Sequence, residues 1–279
     1  MNKIVKRTLT GLVYLLLLAV SLLNGVCFAV IMGCFMVVMI DEFYRMALGE
    51  EKKHYVKECL LSEFTGILLV LLMFLVKRYD SDISILLLVL IPLIINQILL
   101  LFNPREREAG SKSGILTFPL TYIALPIASS ILLVFDRLGN FNVLYFVITM
   151  ILICISDVGA YLVGMAFGQR EKSKKLYPAV SPKKSWAGVF GALFFVFLTD
   201  VVFYVTHLED NILTLTVISL IVVILGILGD LFESLIKRQY GKKDSGSILP
   251  GHGGMLDRLD GALFVIPAVV VYLKIMLII

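Results

Sequence analysis

Residues 211–260 read NILTLTVISLIVVILGILGDLFESLIKRQYGKKDSGSILPGHGGMLDRLD, an apolar run that passes without a break into a polar loop. The run is long enough to cross the roughly 30 Å hydrocarbon layer as a helix, which takes about 20 residues. The loop, from Ser234 to Asp260, packs in Lys237, Arg238, Lys242, Lys243 and Arg258, three aspartates, His252 and the pair Gly253-Gly254. A membrane span has no use for that composition, whereas a phosphate-rich, metal-bridged ligand requires it. The juxtaposition points to chemistry at a bilayer surface.

The remainder of the chain sets the fold class. Of its 279 residues 59% are hydrophobic and 16% charged, with a mean hydropathy of +0.96. A soluble domain would carry about 25% charged residues and about 45–50% apolar ones. Apolar runs lie at 9–24, 25–40, 60–76, 83–102, 115–135, 141–167, 186–206, 211–236 and 261–279. The expected fold is all-α: a polytopic integral membrane protein of about nine transmembrane helices, forming a single membrane domain over 1–279. Only Asn24-Gly25 separates the first two runs, which leaves a tight hairpin or one long tilted helix open. The first run follows Lys3, Lys6 and Arg7 as a signal peptide would, but a second apolar run follows directly and no A-x-A-like cleavage site is present.

Basic residues give the orientation. With nine spans and a cytoplasmic N-terminus, only Lys77, Arg78, Arg137 and Lys274 of the 25 Lys and Arg fall outside. Positive charge retained inside sets topology, and basic loops are drawn to the anionic inner leaflet. The implied location is the inner (cytoplasmic) membrane, multi-pass, with the polar loops 168–185 and 237–260 facing the cytoplasm. No basic, aromatic-interleaved soluble module exists, so nucleic acid is excluded as a partner. Cys27, Cys34, Cys59 and Cys154 lack ligand spacing and read as small hydrophobes.

Chemistry divides the chain near residue 140. Spans in 1–140 are mostly Leu, Val and Ile and read as accessory, dimer-forming or lipid-facing; ionisable residues intrude over 141–279, the expected catalytic core. An ionisable group inside a span is costly and is a functional hypothesis by default. Asp157, Ala160, Tyr161, Gly164 and Gly168 share one helical face, whose small residues admit a neighbouring helix closely. Asp157 is then a site carboxylate or a structural pin with Tyr161. Asp230, Glu233, Ser234 and Lys237 also share a face; a Glu233–Lys237 pair leaves Asp230 unpaired about a turn deeper. Asp200 reads as interfacial. Asp257 and Asp260 fall three apart at the positive end of the last helix, and with Asp230 they offer three carboxylates from two helices. Hard oxygen ligands suit Mg²⁺, which takes a few carboxylates plus waters and phosphates, and two such ions would clamp an in-line phosphoryl displacement. In Pro250-Gly251-His252-Gly253-Gly254 the backbone can close on a phosphate without side-chain obstruction.

With those residues in view, the stretch resembles the signature of the phosphatidate cytidylyltransferases, or CDP-diacylglycerol synthases: Ser234, Lys237-Arg238, Lys243-Asp244, Gly246, His252-Gly253-Gly254 and Asp257-Arg258-Leu259-Asp260. A second block, SDVGAY at 156–161 with SPKKS at 181–185, is similar to the family too, although Ala187 stands where its members usually carry a glutamate. The resemblance implies a membrane nucleotidyltransferase that makes CDP-diacylglycerol and pyrophosphate from CTP and phosphatidate. It implies Asp230 and Asp257 as ligands of a metal pair, Asp260 as a further or supporting ligand, and Mg²⁺ as the metal, the identity of the second ion being open. It implies catalytic roles for Lys237, Arg238 and His252, and substrate contacts from Asp157, Ser181, Lys183, Lys184, Ser234, Lys243, Asp244, Gly253, Gly254 and Arg258. Lys183 and Lys184 could instead serve topology alone, and His252 could bind phosphate, act as an acid toward pyrophosphate or only shape the loop. The partners implied are CTP, phosphatidate and the lipid bilayer, with a homodimer as a candidate assembly. Two other readings are a CTP-dependent polyprenol or phytol kinase and, from a different class, a cation-coupled secondary transporter using Asp157 and Asp230.

Overall fold

The computed structural model describes residues 3–101, 109–170, 173–251 and 253–279. Its helices are α1 (Lys3–Ser21), α2 (Gly25–Leu48), α3 (Val56–Tyr79), α4 (Leu90–Leu101), α5 (Ala109–Pro119), α6 (Leu125–Ser130), α7 (Leu144–Phe167), α8 (Trp186–Val205), α9 (Ile212–Gln239) and α10 (Leu256–Ile275). A short hairpin, β1 (Lys175–Tyr177) and β2 (Ser181–Ser185), occupies the loop before α8, with Lys175 opposite Ser185. Helix starts follow the local sequence. Asn24 accepts from Cys27 N, Ser185 from Gly188 N and Asn211 from Thr214 N, each satisfying an end N–H group that the helix leaves free.

The chain is an all-α polytopic membrane protein. Six helical stretches among the described residues are long and apolar enough to cross a bilayer: Gly25–His54, Val56–Tyr79, Lys112–Val134, Leu144–Phe167, Trp186–Val205 and Ile212–Gln239. Thr8–Ser21 and Ile83–Leu99 are shorter apolar helices. Large apolar side chains stand exposed at helical spacing, as Leu9, Leu12 and Leu16 on α1, Ile91, Ile94 and Ile98 on α4, and Phe190, Phe194 and Leu198 on α8. Contiguous apolar stripes of this kind are rare on soluble proteins and suit hydrocarbon.

Every apolar run expected from the sequence is helical where described, with four differences in detail. The Asn24-Gly25 junction makes a hairpin, because α1 stops at Ser21 and Asn24 begins a new helix. Helix α2 continues to Leu48, so Asp41 and Glu42 lie within it instead of in a following loop. The run at 83–102 opens as a tighter 3₁₀ turn over Ile83–Val89. The run at 115–135 is interrupted by Pro119 and a widened π turn over Leu120–Ala124, a common way for proline to disturb a ladder. Beside that break the Leu116 carbonyl accepts from the buried hydroxyls of Tyr44 (2.7 Å) and Ser62 (3.0 Å).

The helices form two compact units. The first comprises 1–143, 242–259 and 274–279, the second 144–241 and 260–273. The loop over 242–259 therefore packs with the N-terminal helices, although by sequence it follows the second group. The core of the first unit is built around Phe28, Met32, Met36, Met39, Phe43 and Tyr44 of α2. In the second, α7 and α8 approach through glycine; of the α7 face expected from the sequence, Ala160 and Gly164 meet Gly188 of α8, while Asp157 and Tyr161 are exposed. A Cβ at Gly191 would lie 2.5 Å from Val163 Cβ and 2.6 Å from the Gly159 carbonyl, and one at Gly159 would lie 2.8 Å from the Gly191 carbonyl. Asp200, expected at the interface, is 2% exposed and accepts from Ser219 Oγ of α9 at 2.7 Å.

Gly191→Ala should therefore lower the unfolding midpoint in detergent through overpacking of about 1–3 kcal/mol. Gly33→Ala, where a Cβ meets nothing within 4 Å, should be neutral or stabilising by about 0.5–1 kcal/mol, the ordinary gain over glycine within a helix.

Candidate active site

The residues singled out by sequence fall into two groups, one in each unit. In the second unit the hairpin and three helices contribute. Lys184 on β2 places its ammonium 2.7 Å from Asp230 Oδ2 of α9 and 3.4 Å from the Ile227 carbonyl. Ser234, one turn along, donates to Asp230 Oδ1 at 3.3 Å. Asp230 is thus paired, where the one-helix reading leaves it alone. Its partner comes from a hairpin some 46 positions earlier, which helix periodicity does not register. Glu233 and Lys237 do form the expected ion pair, and both are buried.

Helices α9 and α10 cross closely because glycine lines the crossing. A Cβ at Gly229 would lie 2.7 Å from the Asp260 carbonyl, and Gly261 lies against Gly226. That crossing carries Asp260 to Asp230, and the charges of Asp230, Asp157 and Lys237 all act on the Asp260 carboxylate. Asp260 Oδ1 accepts from Gly261 N at 2.8 Å. So α7, α9 and α10 bring the acids 157, 230 and 260 into one neighbourhood with Lys184 and Lys237. Lys183 and Arg238 are exposed, and Ser181 is half-buried.

In the first unit the loop 243–257 is organised by two carboxylates. Asp257, in the first turn of α10, accepts from Ser245 N (3.0 Å to Oδ2) and Gly254 N (2.7 Å). Glu42 of α2, which the sequence reading did not select, accepts from Met255 N at 3.1 Å, Leu256 N at 3.0 Å and Ser245 Oγ at 3.4 Å. Helix α1 adds a contact from Thr10 Oγ1 to the Pro250 carbonyl. Gly251 and Gly253 have φ of 85° and 84°, in the left-handed region where glycine alone is unstrained. A Cβ at Gly253 would also lie 2.6 Å from Asp257 Oδ2. Lys243, Asp244 and Arg258 are exposed at the edges of this loop. His252 lies outside the described residues.

Two consequences concern ligands. The Gly254 N–H, part of the segment that the sequence suggests for a phosphate, is donated to Asp257, and the N–H groups of the two residues that follow are donated to Glu42. Lys183, Lys243 and Arg258 present exposed cationic side chains that could meet anions. For a metal, the oxygen donors of Asp230, Asp257 and Asp260 have the hardness Mg²⁺ prefers, and Asp230 is partly exposed. No group of three or more His, Cys, Asp or Glu among the described residues could hold a metal ion.

The one signal that could have led to Glu42 is its acid type at the end of an apolar run. Its partners lie 203 to 214 positions away and leave no local trace.

Comparison with known proteins gives a concordant picture. The model of the cytidylyltransferase family matches residues 5–276. A Bacillus subtilis (strain 168) phosphatidate cytidylyltransferase is 41% identical over 132 residues, 47% of this chain and 48% of the relative. A Staphylococcus epidermidis protein of the same name is 40% identical over 124 residues, 44% of this chain and 46% of the relative. A Staphylococcus aureus one is 41% identical over 124 residues, again 44% and 46%. The chain thus spans about half the length of the curated relatives it matches.

Lys237→Met should strand the Glu233 carboxylate in a buried setting and cost about 3–5 kcal/mol. The double variant Glu233→Leu/Lys237→Met should recover most of that loss, as read by unfolding midpoints in detergent.

Proposed function

We propose that this chain, which belongs to the cytidylyltransferase family, transfers the cytidylyl group of CTP to phosphatidate, giving CDP-diacylglycerol and pyrophosphate. The observation that carries the reading is the neighbourhood of the second unit, where α7, α9 and α10 gather acids 157, 230 and 260 beside Lys184 and Lys237. The relatives' names support the choice of lipid substrate. We place the enzyme in the inner membrane with nine spans, its N-terminus and site toward the cytoplasm, on the distribution of Lys and Arg.

The chemistry is an in-line substitution at phosphorus. A phosphatidate oxygen, already ionised at neutral pH, forms a bond to the α-phosphorus of CTP. The bond from that phosphorus to the bridging oxygen breaks, and pyrophosphate leaves with the electron pair. No dedicated base is required, so positioning and charge neutralisation supply most of the acceleration. Arg238 and Arg258 offer planar forks to phosphate oxygens, and Lys183, Lys184, Lys237 and Lys243 offer point charges. Ser181, Ser234, Asp244, Gly253 and Gly254 complete the substrate contacts, and His252 is assigned to the leaving pyrophosphate. Mg²⁺ would be held by Asp230 and Asp260 of the second unit together with substrate phosphates, and when bound it would supply neutralisation of the developing phosphate charge; Asp257 accepts backbone N–H groups within its own loop. Lys184 keeps Asp230 compensated by its ammonium, so the carboxylate is not left bare while no substrate is present. A homodimer is the assembly we favour, with residues 1–140 at its surface.

The test is pyrophosphate release by the full chain in detergent, given CTP and phosphatidate, with Mg²⁺ or with chelator. Release should need both substrates and the metal. Asp230→Asn should lower kcat by about a hundredfold or more, the scale of losing a transition-state charge contact. Asp257→Asn should abolish product formation while membrane insertion persists. Lys112→Ala, which loses an ion pair with Glu51 and a cation–π contact with Tyr55, should stay within about twofold, as surface pairs are worth little. Release without phosphatidate, or full activity of Asp230→Asn, would overturn the reading.

A further inference from the structure

Glu42 belongs to the half of the chain that composition marks as accessory, and no motif includes it. Its side chain is nonetheless 1% exposed, and the signature loop closes on it. Two backbone N–H groups at the start of α10 and the Ser245 hydroxyl point at its two oxygens. The glycines of the loop fit the same group: a Cβ at Gly246 would lie 2.5 Å from Glu42 Oε1, and one at Gly254 would lie 2.5 Å from Oε2 and 2.1 Å from Ser245 Oγ. A buried carboxylate with three donors and two glycines shaped to it is an organising centre. A purely apolar side chain there would have left those N–H groups stranded.

We propose that Glu42 is a positioning residue for nucleotide binding: it locks the loop 243–258 from beneath, so that Lys243 and Arg258 are held outward toward the phosphates of CTP. The proposal rests on the cytidylyltransferase reading and sharpens it. A free helix N-terminus is a ready anion site. Leading into α10, the N–H groups of Gly254, Met255 and Leu256 are already taken by the protein's own carboxylates, Asp257 and Glu42. Phosphate recognition on this loop therefore falls to the exposed cationic side chains. The N-terminal helices, through α2, become part of the nucleotide site.

The experiment uses the full chain in detergent with Glu42→Gln, which keeps the size of the side chain and loses its charge and one acceptor. Three quantities are read: the unfolding midpoint, hydrogen exchange over 245–256, and KM for CTP and for phosphatidate with kcat. The expected result is a folded protein whose loop exchanges at least about tenfold faster and whose KM for CTP rises by about tenfold or more, while KM for phosphatidate stays within about twofold; small misplacements of binding groups cost on this scale. A second arm guards against a general loss of folding. Gly246→Ala should harm the parent protein but add little in a Glu42→Ala background, where the clashing carboxylate is gone. Unchanged loop exchange, a CTP KM within about twofold of the parent, equal rises in both KM values, or additive effects of Gly246→Ala and Glu42→Ala would each overturn the proposal. Absence of pyrophosphate release from the parent would instead sink the cytidylyltransferase reading, and the exchange and double-variant results would still decide whether Glu42 holds the loop.

Discussion

A carboxylate drawn into a helix bundle must be met by donors, and this requirement governs the polar architecture here. Transfer of an unpaired charge from water costs several kcal/mol or more. Four acids illustrate it: Glu42 takes backbone N–H groups, Glu233 takes Lys237, the partly exposed Asp230 takes Lys184, and one oxygen of Asp200 takes Ser219. These partners tie particular segments together, so the acids mark where the chain must return to itself. Apolar packing against lipid-facing helices has no comparable specificity, since lipid tails are as apolar as leucine.

The glycines of the polar loop take on a different meaning in this light. Glycine next to a phosphate site is usually explained by the ligand's need for close backbone approach. Here Gly246, Gly253 and Gly254 are already crowded by Glu42 and Asp257. Their absence of a side chain is demanded by the protein's internal carboxylates before any ligand arrives. The same holds at the α7–α8 and α9–α10 crossings, where glycine lets backbones meet and so fixes where Asp157, Asp230 and Asp260 lie.

Much of this could be read from the amino-acid order. Apolar run length gives the helices, and the hairpin at Asn24-Gly25 was one of two readings left open. The Glu233–Lys237 pair and the Ala160 and Gly164 part of the α7 face follow from the 3.6-residue period alone. Partners brought in by tertiary folding were beyond that reach. Lys184 reaches Asp230 from a hairpin that loop composition does not announce, and Ser219 turns Asp200 from an interfacial residue into a buried one. Glu42 was missed because α2 runs eight residues past the point where hydrophobicity fades, carrying the acid into the interior instead of into a loop. Burial of Phe43, Tyr44, Met46 and Leu48 sustains that last stretch, Asp41 to Leu48, and a span-by-span reading of apolar runs does not see packing beyond the run.

The Asp200–Ser219 bond has a bearing on how the protein is made. The two residues stand 19 positions apart, on either side of the short turn between α8 and α9. Released singly into hydrocarbon, α8 would present a naked acid to lipid toward its end, at a penalty smaller than the about 2.5–3.5 kcal/mol that a helix centre would incur. Its hydroxyl partner leaves the ribosome only moments later, at about 5–20 residues per second. Biogenesis is thus better served if the translocon holds α8 until α9 arrives and delivers the two as a preassembled pair.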